Sequence, residues 1–323
     1  MSDPLTLASS DRLLILAPHP DDESIATGGL IQVARAAGAA VRVIVLTDGD
    51  NNPWPQRWIE KRWHIDAAAR RRWGARRREE ARAALRVLGL AAEDAVFLGF
   101  PDLGLTDLLM RNEPQIIHAL RTQIDEFRPT MLILPAVSDR HPDHSAAHIL
   151  ARAALTQLPI PRLYTFAVHG RSAAPAAVVV ELTSHERDIK RAAILAHRTQ
   201  MQLSQRRFVR YADSAEVYQS EAVLFGELRE HPLRAHFGGD GLLHVSVDLS
   251  RWNGPWRGRA FFVALDGGDR ILQPLGQDEE RSGDALHIEI PCPRNAAGYV
   301  KLALPEPGWR VFDRHGWQRF EST

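Results

Sequence analysis

Short apolar runs recur along the first two-thirds of the chain, each followed by a polar turn and then by a stretch with helical spacing. Leu13–Ala17 and Val41–Leu46 are the first two runs. The spacer between them carries Gly28 and Gly29, then Ile31–Ala37, and Gly38 suits a helix C-cap. Ala95–Leu98 predicts a third strand, Glu113–Phe127 a helix, Met131–Leu134 a fourth strand and Ser145–Leu155 another helix. Arg162–Val168 and Ala177–Leu182 are further strand candidates. Strands alternating with helices predict an α/β fold, with a mostly parallel sheet and helices on both faces.

From about Leu242 the period changes. Val245, Val247 and Leu249 alternate with polar residues, and Ala260–Leu265, Leu286–Ile290, Tyr299–Leu304 and Trp309–Phe312 read as short strands between Gly, Pro, Asn and Asp clusters. The pattern predicts a small C-terminal all-β domain, with a boundary near Arg234–Gly241 and the chain divided into 1–236 and 237–323. It holds no His, Asp and Glu cluster resembling a site. Trp252, Trp256, Trp309 and Trp317 lie in it, and core packing is favoured there over a carbohydrate-stacking surface. No internal repeat is visible.

Composition narrows the function classes. The 323 residues hold 40 basic and 40 acidic side chains, so no global field would draw the protein to nucleic acid. A lone cysteine, Cys292, excludes an intramolecular disulfide and argues against a cysteine-based structural metal site. Met1–Ser10 has neither the basic flank nor the apolar core of a signal peptide, and no run reaches the roughly 18 apolar residues needed to span a bilayer. The cytoplasm is the expected compartment, without stable membrane insertion. Oligomeric state is not legible.

Two polar islands carry the chemistry. His19-Pro20-Asp21-Asp22-Glu23 follows the first strand, and His141-Pro142-Asp143-His144 follows the fourth. Open α/β sheets place sites at the carboxyl ends of their strands, so the islands can face each other there. Histidine and aspartate together suit zinc, whose catalytic sites take three protein ligands and keep one position open. His19, Asp22 and His144 form such a set. Asp21, beside Asp22, is placed to take a proton from water. His141 can donate to an oxyanion or a departing amine, and Asp143 can hold the His141 ring in one tautomer. Taken singly, each has a plainer reading: Asp22 as a helix N-cap, His141 as an exposed loop residue. Pro18, Pro20 and Pro142 stiffen both loops.

Ala17-Pro18-His19-Pro20-Asp21-Asp22-Glu23 and Arg140-His141-Pro142-Asp143-His144 resemble the two signatures of the PIG-L (LmbE-like) de-N-acetylase family. Val45–Gly49, Arg77–Glu80 leading to Leu88-Gly89, Leu98–Asp102 and His197–Gln200 agree with it, and the resemblance spans about residues 11–220. It implies a Rossmann-like sheet and a zinc-dependent hydrolase, with one ion per chain, that removes acetyl groups from N-acetylated amino sugars or their conjugates. Another divalent ion is an alternative to zinc. The resemblance makes His19, Asp22 and His144 the metal ligands, Asp21 the general base and His141 the electrophilic or acid partner. It places Arg77, with Arg78 as a rival, and also Asp102 and His197, with the substrate.

Between Arg57 and Arg82 lie ten basic residues and four acids, with Trp54, Trp58, Trp63 and Trp73 among or just ahead of them. Three readings compete for this segment: a solvated helix over packed tryptophans, a substrate lid, or a surface for anionic partners. His148 has the spacing from His144 of a shared helix face, but the next turn would carry it away from the strand end. The competing functions are metal-dependent hydrolysis of another amide or an ester, and a non-catalytic nucleotide-binding module. No glycine pattern of the dinucleotide or P-loop type follows an early strand, which disfavours the second. The expected partner is a small N-acetylated sugar or conjugate.

Overall fold

The computed structural model describes residues 5–155, 158, 162–170, 177–220, 231–238, 241–252, 259–266, 268–275, 281–293, 296–303 and 316–320. The expected strand at Trp309–Phe312, and Trp256, lie outside them. The first part runs β1 (Arg12–Ala17), α1 (Asp22–Ala36), β2 (Ala40–Thr47), α2 (Pro53–Glu60), α3 (Ala67–Val87), β3 (Ala95–Phe100), α4 (Leu105–Met110), α5 (Pro114–Phe127), β4 (Met131–Pro135) and α6 (Pro142–Ala154). It continues through β5 (Arg162–Phe166), β6 (Ala177–Val180), α7 (Ser184–Ala196), α8 (Arg198–Asp213) and β7 (Glu216–Ser220).

These strands form one sheet in the order β3-β2-β1-β4-β5-β7-β6. The five from β3 to β5 are parallel, and β7 enters antiparallel between β5 and β6. The order in which strands are added reverses at the centre: β1 leads to its neighbour β2 on one side, β4 to β5 on the other. That switch leaves a crevice beyond the carboxyl ends of β1 and β4. Leu13–Ile15 pairs in register with Met131–Ile133, which brings the ends of the two strands level.

Successive strand residues point to opposite faces, so β1 feeds two cores. Leu13, Ile15 and Ala17 pack with Leu30 and Ala34 of α1, Leu85 of α3 and Ala193 of α7. Leu14 and Leu16 pack with Leu105 of α4, Ile116 and Leu120 of α5, and Leu150 of α6. Buried on both faces, such strands read as the continuous apolar runs seen in the sequence.

The C-terminal strands are β8 (Leu233–Phe237), β9 (Leu242–Asp248), β10 (Ala260–Leu265), β11 (Arg270–Pro274), β12 (Arg281–Ser282), β13 (Ala285–Pro291), β14 (Gly298–Ala303) and β15 (Gln318–Phe320). They make two antiparallel sheets, β12-β13-β9-β8 and β11-β10-β14-β15. β8 pairs with β9 from Leu233 onward, so the β module takes in residues that the expected division at 236 left to the first domain. Nor is the module a loose appendage. Phe261, Val263 and Leu265 of β10 face the core between the two β sheets. Ala260, Phe262 and Ala264 face the other way, into the core built on α4, α5 and α6. His148 lies at this junction, its Nδ1 3.0 Å from Pro135 O and its Nε2 3.1 Å from Tyr299 Oη. Its place in the fold is a seam between modules, and it does not join the residues at the strand ends.

α1 is fixed by an unusual buried cluster. The Glu216 carboxylate accepts from Gly29 N (2.6 Å), Leu30 N (2.8 Å), Lys190 Nζ (2.7 Å) and Tyr218 Oη (2.7 Å). Gly29 is required where it sits, because a Cβ there would lie 2.3 Å from a Leu182 methyl. A buried ion pair contributes little net stability, yet removing one partner strands the other charge. Glu216→Gln should therefore lower unfolding free energy by about 3–5 kcal/mol in equilibrium urea titration. A loss below about 1 kcal/mol would mean that Lys190 finds another partner or sheds its proton cheaply.

Candidate metal centre

Both islands sit where the sheet switches direction. Pro18 O accepts from Thr47 N (3.0 Å) and Thr47 Oγ1 (2.9 Å), tying the first loop to the end of β2. Asp22 and Glu23 open α1, whose N-terminal dipole favours negative charge. His141 is the N-cap of α6, and its Nδ1 accepts from Asp143 N at 3.2 Å. That bond leaves the ring proton on Nε2.

The imidazoles of the two islands converge. Ring centroids are 4.6 Å apart for His19 and His141, 5.3 Å for His19 and His144, and 5.1 Å for His141 and His144. Asp22 Oδ2 lies 3.2 Å from His19 Nδ1 and 3.2 Å from His144 Nε2. Other carboxylates back the far ring atoms. His19 Nε2 is 3.2 Å from Asp102 Oδ1 and 3.3 Å from Asp143 Oδ2. His144 Nδ1 is 3.1 Å from Asp139 Oδ2.

Such a concentration of buried carboxylate seeks positive charge. Burial alone would lower the pKa of His19, but hydrogen bonds from its ring to Asp102, Asp143 and Asp22 raise it well above the usual imidazole range. Burial opposes ionised His144 too, and Asp22 and Asp139 outweigh it, pushing it up to about 10. Asp21 behaves differently: burial raises it to about 6, against the pull of the Arg77 guanidinium. Burial and the neighbouring charges of His19, His144 and His169 push His141 down to about 2, so that ring is neutral.

The donors fit a divalent cation. Potential ligand atoms of His19, His141 and His144 lie within 4.8 Å of one another, as do those of His19, Asp102 and Asp143. The second set is already engaged, since Asp143 accepts from Leu103 N (2.7 Å) and Leu105 N (3.0 Å), and Asp102 from Asn51 N (2.8 Å). Of the first set, His19 and His144 also share Asp22 Oδ2, 3.2 Å from a ring nitrogen of each. His144 Nε2 is fully buried and, among the described residues, makes no hydrogen bond of acceptable geometry despite its approach to Asp22. With both imidazoles neutral, an ion would take over the role of the two protons, and Asp102, Asp143 and Asp139 would orient the rings from outside.

Some expected residues lie elsewhere than anticipated. The Asp143 carboxylate engages His19, while only its backbone N–H meets His141, so the sequence reading joined it to the wrong ring. Arg77 does line the cleft above the site, but it is largely buried under the first loop, donating to Gly49 O and Pro20 O at 2.6 Å each, with Nη2 3.3 Å from Asp21 Oδ2. Arg78 points to Asp48 at 3.3 Å and does not line the cleft above the site. Asp102 lines that cleft but is held by His19 and Asn51. His197 sits beneath the loop, not at the rim, with Nε2 3.0 Å from Glu23 Oε1 and 3.1 Å from Ser24 Oγ.

The cleft, of about 440 Å³, is lined by His19, Asp21, Asp22 and His141 at its floor, and by Trp54, His169, Arg207, Phe208 and Tyr211 among its walls. His169 escaped the sequence reading although it follows β5 as the islands follow β1 and β4; its ring is 5.4 Å from His141 and 5.2 Å from His144. Asp139, two residues ahead of the second island, and Glu23, the last of the first, were likewise legible as carboxylates but not as partners of particular rings. Arg207, Phe208 and Tyr211 of α8 carried no local signal, because that part of α8 reaches the cleft only through tertiary packing.

Comparison with known proteins adds an independent line. Residues 14–155 match the PIG-L family model, described as GlcNAc-PI de-N-acetylase. A 1D-myo-inositol 2-acetamido-2-deoxy-alpha-D-glucopyranoside deacetylase of Mycobacterium sp. (strain KMS) is 32% identical over 182 residues, covering 50% of this chain and 56% of that relative. The enzyme of the same name from Mycobacteroides abscessus is 30% identical over 242 residues, covering 60% of this chain and 82% of the relative. The chain thus spans little more than half the length of the first of these relatives. The solved structure of N,N'-diacetylchitobiose deacetylase from Pyrococcus horikoshii superposes with a TM-score of 0.52 at 20% identity, covering 68% of this chain and 87% of that one, a likeness of fold.

Asp21 has φ 140° and ψ −26°, a conformation that side chains other than glycine rarely adopt. It is held by Glu23 Oε2, which accepts from Asp21 N at 2.9 Å, and by Asp21 O, which accepts from Ser24 N and Ile25 N at 3.1 and 2.9 Å. Asp21→Gly and Asp21→Ala both remove the carboxylate, and only the first relieves the backbone. The glycine variant should be the more stable by about 1–2 kcal/mol in thermal or urea unfolding; equal stability would show the strain to be negligible.

Proposed function

The chain belongs to the PIG-L family, and from that membership we propose that it is a zinc-dependent hydrolase that removes the acetyl group from an N-acetylated amino sugar conjugate. The observation that carries this reading is the approach of His19 Nδ1 and His144 Nε2 to Asp22 Oδ2, with His144 buried just beneath a cleft whose floor presents His19, Asp22, Asp21 and His141. Two imidazoles and one carboxylate would hold zinc; another divalent ion would use the same donors. When bound, the ion supplies Lewis acidity toward the acetyl carbonyl and lowers the pKa of water beside it.

The protein's own groups account for the proton movements. Asp21 takes a proton from the attacking water, and burial keeps its carboxyl near neutrality, where it can both accept that proton and return it. Arg77 pairs with Asp21 and anchors the loop through Pro20 O, which holds the carboxylate toward the cleft. The His141 Nε2–H donates to the oxyanion as the carbonyl carbon becomes tetrahedral, its Nδ1 being occupied by Asp143 N. Breaking the C–N bond yields acetate, and the nitrogen leaves as a free amine after gaining the proton that Asp21 took from the water. Asp143 supports His19, and Asp139 supports His144, in the orientation ligation requires.

The substrate proposed is a glucosamine-type sugar with a polar aglycone. Its support is the naming of the mycobacterial relatives, together with a cleft whose walls mix aromatic and polar groups, Trp54, Arg207, Phe208 and Tyr211. The aromatic faces suit the apolar face of a pyranose, and the Arg207 guanidinium suits hydroxyls beyond it.

Two measurements test this. Protein purified without chelators should contain about one divalent ion per chain by elemental analysis. His144→Ala should abolish that content, and stripping the wild-type protein should lower its melting temperature until the ion is restored. Asp21→Asn should keep the ion but lose about 100- to 10,000-fold in turnover of an N-acetylglucosamine conjugate, read by acetate release. Substantial turnover by metal-loaded Asp21→Asn rejects the base assignment, and release of acetate only from simple esters rejects the amide substrate.

A further inference from the structure

Six tryptophans lie among the described residues, and they divide sharply. Trp73, Trp252 and Trp317 are buried, whereas Trp54, Trp58 and Trp63 are 59%, 76% and 79% exposed. The exposed three belong to α2 and the turn after it. Trp54 and Trp58 are four residues apart on α2 and share a face. The Arg57 guanidinium lies 5.1 Å from the Trp54 ring and 5.2 Å from the Trp63 ring, so an arginine sits between two indoles.

The charge around them is local. The whole chain balances at 40 basic and 40 acidic residues, yet residues 54–72 carry Arg57, Lys61, Arg62, Arg70, Arg71 and Arg72 against Glu60 and Asp66. Glu60 pairs with Arg72 at 3.3 Å, and Asp66 lies in the field of Arg62 and Arg72, which leaves a surplus of cations on exposed side chains. Exposed indoles interleaved with arginine and lysine match the headgroup region of an anionic bilayer, where the ring meets acyl chains and the cations meet phosphate.

We propose that α2 and the following turn, through Trp58, Trp63, Lys61 and Arg62, dock the protein reversibly on an anionic phospholipid surface. Docking here is adsorption and not insertion: among the described residues no helix is long and apolar enough to cross a membrane. The patch runs into the cleft, because Asn51, Asn52, Pro53 and Trp54 form one of its walls, so adsorption turns the cleft mouth toward the lipid headgroups. Single-stranded nucleic acid is the rival occupant for cations with aromatics. It fits less well, since base stacking would have to displace Arg57 from the Trp54 and Trp63 rings, whereas at a bilayer that contact persists.

Co-sedimentation of the full chain with phosphatidylcholine vesicles, with and without phosphatidylglycerol, tests the inference. Binding should require phosphatidylglycerol, weaken as salt is raised, and shift tryptophan emission to the blue. Lys61→Glu with Arg62→Glu should weaken it by about fivefold or more for each cation removed. Trp58→Ser with Trp63→Ser should remove the emission shift and most of the binding. All four positions are exposed, and unchanged melting temperature and far-ultraviolet circular dichroism would confirm that both variants keep the fold. Failure of the wild-type chain to bind, retention of binding by either variant, or capture of a single-stranded oligonucleotide in place of vesicles overturns the proposal. No turnover is measured, so the outcome is independent of the proposed deacetylation.

Discussion

The parallel pairing of β1 with β4 is the constraint on which the site depends. The two islands are more than a hundred residues apart in sequence, and neither has a complete ligand set. In-register pairing of Leu13–Ile15 with Met131–Ile133 sets the strand ends level, and opposite crossover directions keep helices from filling the gap between them. His19 and His144 then share Asp22 Oδ2 at 3.2 Å from each. Slipping the register by one residue would exchange the Leu14–Leu16 core for the Leu13–Ile15–Ala17 core. Burial on both faces therefore fixes the site's geometry as firmly as it fixes the sheet.

The site concentrates carboxylate at a depth where water cannot screen it. Asp22, Asp102, Asp139 and Asp143 all approach an imidazole nitrogen, and all are largely or fully buried. Acidic groups this deep are tolerated only with matching positive charge. Protons on His19 and His144 provide it in one state, and a divalent ion would provide it in another. Asp21 stands apart, facing Arg77 on a strained backbone. The same cluster that calls for a cation therefore also leaves one carboxyl poised near neutrality.

The β module shows how packing can join what composition separates. β10 alternates between two cores, Phe261 and Val263 toward its partner sheet and Phe262 and Ala264 toward α4–α6. His148, on the helix that carries His144, is sealed at that seam by Tyr299 and Pro135 O. The texture change near Leu242 marked a real difference in local structure, but it said nothing about a shared interior.

Local signals were enough for much of the architecture. Continuous apolar runs located β1–β4, and short apolar or alternating runs located β9, β10, β13 and β14, because the run of side-chain types is a property of each strand alone; β8, β11, β12 and β15 gave no such signal. β7 was missed: Glu216-Val217-Tyr218-Gln219-Ser220 has too few apolar residues, and its place between β5 and β6 comes from pairing. The two islands were legible because rare residue types cluster beside strand ends. Which carboxylate serves which ring was not. Asp143 went to His19, Asp139 to His144, and His197 to Glu23, since the direction a side chain takes across a crevice depends on backbone brought from elsewhere. The sequence alone thus determined β1–β6, three of the helices (α1, α5 and α6), four C-terminal strands and the chemical inventory, all set by short-range periodicity and residue type. The tertiary structure decided the partnerships, the strain at Asp21 and the walls of the cleft, because each requires segments far apart in the chain to meet within a few ångströms.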